Sequence, residues 1–203
     1  MDTSLRVEDT PRLGHRGSFK VFFLTCLAVL VLSAGCAAKK PVAVPAEPGT
    51  GAKSVAVLSF NNISGKRDAA EIVTNIFITE LFRSGKFKVE EPGNIMQFMI
   101  QERVTTIGEM DLEKLQVLAN RFKVDSVIVG TVEEFDEGKT METPVPVVSL
   151  SARMINPKSG TIVWSAQNKR KGDDYIVVFD FGRVRSITTL TKRAVDEMIK
   201  TIQ

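Results

Sequence analysis

The chain has 203 residues, 43% hydrophobic and 25% charged, with a formal net charge of +3. That is room for one domain of ordinary size plus a tail, in a globular composition whose charge is too weak for a nucleic-acid footprint. The single histidine, His15, and the two cysteines, Cys26 and Cys36, all lie within the first 36 positions. From Ala37 onward the chain has no imidazole and no thiol. Ser-His-Asp and Cys-His catalysis, Cys/His zinc sites and internal disulfides are thereby excluded there.

Residues 1–35 read as a signal peptide. A polar stretch with Arg6, Arg12, Arg16 and Lys20 leads into the apolar run Val21 to Leu32. That run is shorter than the roughly 20 residues a spanning helix needs, so a cleaved segment is the better reading. Leu32-Ser33-Ala34-Gly35-Cys36 then resembles the bacterial lipobox. Ser33 stands where an aliphatic residue is usual, with Leu32 one step further out. The resemblance implies acylation of Cys36 as the new N-terminus. No Asp follows the cysteine, which implies an outer-membrane destination with the protein held on the periplasmic face. Cleavage before Cys36 removes four of the 27 basic and three of the 24 acidic residues, leaving 23 against 21, or +2. Several acyl chains make a lasting anchor where a single one is marginal.

Residues 36–53 form the lipidated end and a tether with Pro41, Pro45 and Pro48. In polyproline geometry it reaches up to roughly 50 Å. Residues 54–203 form the folded domain. Val55 to Phe60 has the pattern of a buried strand, and Asn61 to Gly65 that of a loop. Asp68-Ala69-Ala70-Glu71 fits a capping box opening a helix that places Ile72, Val73, Ile76, Phe77 and Leu81 inward and stops at Ser84-Gly85. Phe87 to Glu90 is a short strand, Asn94 to Glu102 a short helix, and Asp111 to Phe122 a helix with Leu112, Leu115, Leu118 and Phe122 inward. Val127 to Val132 is a central strand. Val145 to Ile155 and Thr161 to Gln167 make a hairpin about Asn156 to Gly160, and a last helix starts near Ser186. The pattern predicts one α/β domain: a mixed β-sheet of about five strands with amphipathic helices packed on it.

VAVLSFNNISG, ITELFRSGKFKVEE, LANRFKVDSVIVGTVEEF and SARMINPKSGTIVWSA, with the terminal helix, resemble the CsgG-like family of envelope lipoproteins. That family takes in the curli secretion subunit, PelC and LpoB, and the N-terminal domain of TolB-like proteins has a similar cadence. The resemblance spans Ser54 to Ala166 and implies a periplasmic domain that works through contacts with envelope proteins or with identical subunits, often as a ring. Pore formation is not carried over. The places where a channel subunit has its barrel inserts are here Asp136 to Pro146 and Lys171 to Arg185, 11 and 15 residues. A spanning hairpin needs more than about twenty.

Four clusters are candidate sites. Glu133, Glu134, Asp136 and Glu137 offer carboxylates to a hard cation, but without EF-hand spacing they read as a solvated strand end. Asn61 to Gly65 lies where anions bind in many α/β folds, but it has no phosphate-loop or dinucleotide motif. Lys169-Arg170-Lys171 reads as a solvated strand end. Tyr175-Ile176-Val177-Val178-Phe179-Asp180-Phe181 is apolar at nearly every position between charged segments. It is either a core strand or a partner interface, with Tyr175, Val177, Phe179 and Phe181 as contact residues. Trp164 is expected in the core.

The expectation is an outer-membrane lipoprotein, anchored at Cys36, that supports assembly of, or export through, an envelope complex by protein contacts. Neither an enzyme nor a cofactor or metal site is expected, and a carboxylate-only glycosidase would need a facing pair of acids that the sequence does not show. The alternative is an LpoB-like regulator of an inner-membrane peptidoglycan synthase, for which a 17-residue tether is short.

Overall fold

The computed structural model describes residues 52–138 and 145–203. The segment read as a signal peptide, Cys36, nearly all of the expected tether and the middle of the Asp136–Pro146 segment lie outside the described residues. Six strands and four helices follow in order: β1 (Lys53–Val57), β2 (Asn61–Asn62), α1 (Ala69–Arg83), β3 (Phe87–Val89), α2 (Pro92–Gln101), α3 (Leu112–Phe122), β4 (Ser126–Asp136), β5 (Val147–Ile155), β6 (Ile162–Lys171) and α4 (Ile187–Lys200). Among these residues no helix is long and apolar enough to cross a membrane.

The sheet order is β3-β1-β4-β5-β6, and β2 continues along β4 beyond the end of β1. β3, β1 and β4 run parallel; β4, β5 and β6 are antiparallel neighbours. The sheet is therefore mixed, as the pattern predicts, with β2 the strand hidden in what reads as a loop. β6 consequently runs in the direction of β1, so the end of β6 and the start of β1 lie at opposite ends of the sheet.

Two layers of side chains fill the two faces. On one, Val73, Phe77 and Leu81 of α1 and Leu190, Ala194 and Met198 of α4 pack on Ile128, Val132, Leu150 and Ala152. On the other, Ile95 and Phe98 of α2 and Leu115 and Leu118 of α3 pack on Ala56, Leu58, Val127 and Val129. Phe77, Phe98 and Leu118 are fully buried, and each contributes roughly 1.5–3 kcal/mol of apolar burial. The break between β1 and β2 is made by Phe60. Its amide donates to Thr74 Oγ1 (3.0 Å), and its ring fills the space where a Cβ on Gly130 would stand. A glycine in the middle of the central strand is what admits that ring.

The helix ends depart from expectation in two places. Asp68 does not close a capping box: its backbone is at φ −95°, ψ 4°, not extended, and its carboxylate makes no cap bond. Asn62 organises this entry instead, donating from Nδ2 to the Lys66 carbonyl (2.7 Å) while its Oδ1 accepts from Ser64. Leu112 is 43% exposed rather than inward, because it opens α3 and lies over Gly160 in the β5–β6 turn. The caps of α2 and α3 are regular: Glu91 accepts from the Asn94 amide (2.9 Å) with Pro92 at the first position, and Asp111 accepts from the Lys114 amide (2.8 Å).

Candidate functional site

Between β6 and Val184 the chain leaves the core for the surface. A single 3₁₀ turn, Gly172–Tyr175, leads into a tight reversal in which the Val177 amide donates to the Phe181 carbonyl (2.9 Å) and the Phe181 amide to the Val178 carbonyl (2.8 Å). The two central residues, Phe179 and Asp180, have φ 45° and 62°. Positive φ at both centres is the pattern of a type I′ turn, which favours Asn-Gly. Holding an ordinary L-residue there costs roughly 1–2 kcal/mol. Phe179 is 99% exposed, Phe181 80%, Val177 78% and Val178 54%. The core-strand alternative therefore fails for Val177, Phe179 and Phe181, and only Tyr175 packs against the core. Alternation could not tell a buried strand from an apolar turn; Asp180 and Gly182, in and beside the run, were the available signals.

The turn is pinned from below. Arg183, its side chain only 16% exposed, places Nη2 3.0 Å from Asp180 Oδ1. Its Nε lies 2.9 Å from Asp173 Oδ1 in an ion pair that lacks hydrogen-bond alignment. Gly182 has φ 98°, and a Cβ there would meet the Tyr175 carbonyl oxygen. Gly172 is buried, with its amide on the Pro146 carbonyl (2.8 Å) and its carbonyl on the Val184 amide (3.0 Å). Asp174 accepts from the Lys171 amide (2.8 Å).

One carboxylate ties this base to α4. Glu197 accepts from Tyr175 Oη (2.9 Å), Arg170 Nε (2.8 Å) and Asn168 Nδ2 (3.0 Å), and the Arg193 guanidinium lies 4.6 Å over the Tyr175 ring. Burial alone would raise the Glu197 carboxyl, but the bonds from Asn168, Tyr175 and Arg170 and the Arg170 charge bring it below its ordinary value. Burial and the Glu197 carboxylate push the Tyr175 phenol up to about 12. Sequence reasoning missed Arg183 and Glu197, since nothing local shows that a strand, a turn and the last helix meet there.

The other candidate residues do not converge. The acidic cluster lies in β4, which runs on to Asp136, and a register shift between Val132 and Glu134 turns its members apart. Glu134 pairs with Lys169 (2.5 Å) and Asp136 with Lys66 (3.9 Å). Burial opposes the charge on Glu133, yet bonds from Ser149 (2.8 Å) and Gln167 (2.9 Å) hold its carboxyl low. Among the described residues no group of three or more such side chains is placed to hold a metal ion. Lys169, Arg170 and Lys171 are the last residues of β6, and the first two are paired as just described rather than forming a free basic patch. Trp164 is half-buried at the core's margin and donates from Nε1 to Thr201 Oγ1 (2.9 Å).

An open cleft of about 710 Å³ lies at the opposite end of the sheet, lined among others by Lys53, Phe87, Asp125, Lys158 and Trp164. Asp125 there accepts from the Ser54 amide (2.8 Å), so it closes the start of β1. Among the described residues, the feature that the fold both exposes and braces is the Val177–Phe181 turn.

No protein-family model and no curated protein matches this sequence. Solved structures do. A point variant of the PelC dodecamer of Paraburkholderia phytofirmans superposes with TM-score 0.53 at 22% identity, over 74% of this chain and 89% of that one. Lipoprotein GNA1162 of Neisseria meningitidis gives 0.51 at 19% identity, over 59% of this chain and 82% of that one. LpoB of Escherichia coli, at 0.47 and 17% identity, aligns too loosely to argue from. The class defined is thus a mixed α/β fold shared with PelC and GNA1162. PelC was among the relatives expected from the sequence; the wider CsgG-like label is carried by none of these neighbours.

Proposed function

We propose that this is a periplasmic lipoprotein, anchored at Cys36 in the outer membrane, whose domain supports assembly of, or export through, an envelope complex by contact rather than by catalysis. The observation that carries the reading is the braced turn: four apolar side chains held in water by an ion-paired base, on a domain whose Glu133–Asp136 carboxylates do not converge on a site. A surface of that kind is a docking tip. We assign Val177, Phe179 and Phe181 to its contact surface and Tyr175 to its foundation. Support comes from the lipobox at Cys36 and from two fold neighbours, one a dodecamer and the other a lipoprotein.

Two measurements test it. Cys36→Ser abolishes palmitate labelling and moves the protein out of the membrane fraction; labelling that survives overturns the anchor. Light scattering of the lipidated chain in detergent gives a mass of several subunits. A strict monomer at high concentration overturns the assembly reading and leaves the synthase-regulator reading in its place.

A further inference from the structure

We propose that the counterpart of the Val177–Phe181 turn is a lipid surface, so that the protein holds its membrane at two points. This deepens the docking reading above and rests on it.

Four observations separate a lipid counterpart from a protein groove. The apolar side chains stand on a convex tip with Phe179 wholly exposed, a shape that enters a deformable medium without a matching cavity. Two backbone bonds close the tip, Val177 to Phe181 and Phe181 to Val178, which lowers the cost of seating it in the headgroup layer, where water still reaches its remaining amides. Arg183 stands beside two of its acids, Asp173 and Asp180, and Asp174 accepts from the Lys171 amide. Exposed cations, Lys171 and Arg185, flank the turn on either side, where anionic headgroups would meet them.

The anchor permits this. Strand directions put the start of β1 and the turn at opposite ends of the sheet, whose longest strand, β4, has 11 residues and is about 36 Å long. The 16 residues from Ala37 to Ala52 reach about 50 Å when extended, comparable to the span from Lys53 along β4 to the turn. Cys36 and the turn can therefore meet one membrane together. The contact is a seat at the interface, since the segment is too short to span.

The test uses the lipidated chain reconstituted in vesicles of phosphatidylethanolamine and phosphatidylglycerol. Val177→Cys carries an environment-sensitive fluorophore and leaves both phenylalanines in place; the parent chain treated identically is the blank. The expected result is a blue-shifted emission that lipids brominated on their acyl chains quench. Phe179→Asp with Phe181→Asp abolishes both signals while Trp164 emission and the urea midpoint hold. For a chain begun at Ala37, which lacks both the leading apolar segment and the lipid and keeps only the turn, each phenylalanine removed weakens vesicle binding about tenfold or more. A blue shift that grows with protein concentration and resists brominated lipid assigns the turn to a protein, overturning the lipid counterpart and keeping the docking reading. A label that stays water-exposed in vesicles and in assembled protein overturns both.

Discussion

The domain contains two tight turns at opposite ends of its sheet, and they are built by opposite rules. Between β5 and β6, Asn156 accepts from the Lys158 amide through Oδ1 (2.9 Å), and its carbonyl takes the Gly160 amide (2.8 Å). Gly160 supplies the left-handed residue at φ 73°. Each residue type there suits its backbone. Past β6, the left-handed positions hold Phe179 and Asp180, residues that suit it poorly, and the conformation survives because Arg183 and Gly182 over-determine it. The contrast teaches that the first turn serves the fold and the second serves something outside it.

Substituting the glycines widens the contrast most. Gly182→Ala puts a Cβ at φ 98° against the Tyr175 carbonyl, a backbone atom that cannot step aside. A loss of about 2–3 kcal/mol in urea unfolding is expected, with new protease cleavage between 176 and 183. Gly160→Ala at φ 73° meets only the flexible Leu112 side chain, with Cδ1 at 3.2 Å. Its cost is about 1 kcal/mol, and equal losses at the two positions would dissolve the comparison.

Much of the scaffold behind this contrast was legible. Val55 to Phe60, the α1 stripe and the Asn156–Gly160 hairpin carry local signals of period or turn chemistry. What was not legible depends on distant partners. Asn61–Asn62 is a strand only because Thr131 and Val132 of β4 run beside it beyond the end of β1, a distant pairing that its own turn-rich composition hides. Glu133 to Asp136 likewise hide the continuation of β4 by looking like a solvated end. Tyr175 to Phe181 has a strand's composition, and its exposure follows from Gly172, Gly182 and Arg183, whose partners come from both sides of the turn. Asp68 shows the reverse failure: a correct motif whose backbone took another shape.

Replacing Phe179-Asp180 with Asn-Gly tests the trade directly. Because that double replacement also removes the Asp180 partner of Arg183, the cleaner variant is Phe179→Asn, which keeps the pair. The domain then gains up to roughly 1 kcal/mol in urea unfolding while the turn's docking weakens, and an unchanged midpoint would mean the strain at Phe179 is not there. The smallest expected effect is on pH dependence. Glu197 titrates below its ordinary 4.5 in the fold, so its contribution is present above 4.5 and is lost as pH falls through the folded value. Tyr175, raised from 10.0 to about 12, contributes fully below 10 and loses that contribution as pH rises toward 12. Between those limits the melting temperature of the wild type is flat with respect to this pair. Glu197→Gln lowers that plateau and blunts both flanks, and unchanged flanks would remove Glu197 from the brace.

The direction of the strands also has a mechanical meaning. β1 lies between β3 and β4, and a pull exerted on Lys53 while the turn past β6 is held acts along the strand axes. The bonds of β1 to both neighbours then share the load in shear instead of opening one at a time, as they would if the two attachments lay at the same end. Resistance to such a pull is set by the unfolding rate rather than by the equilibrium stability.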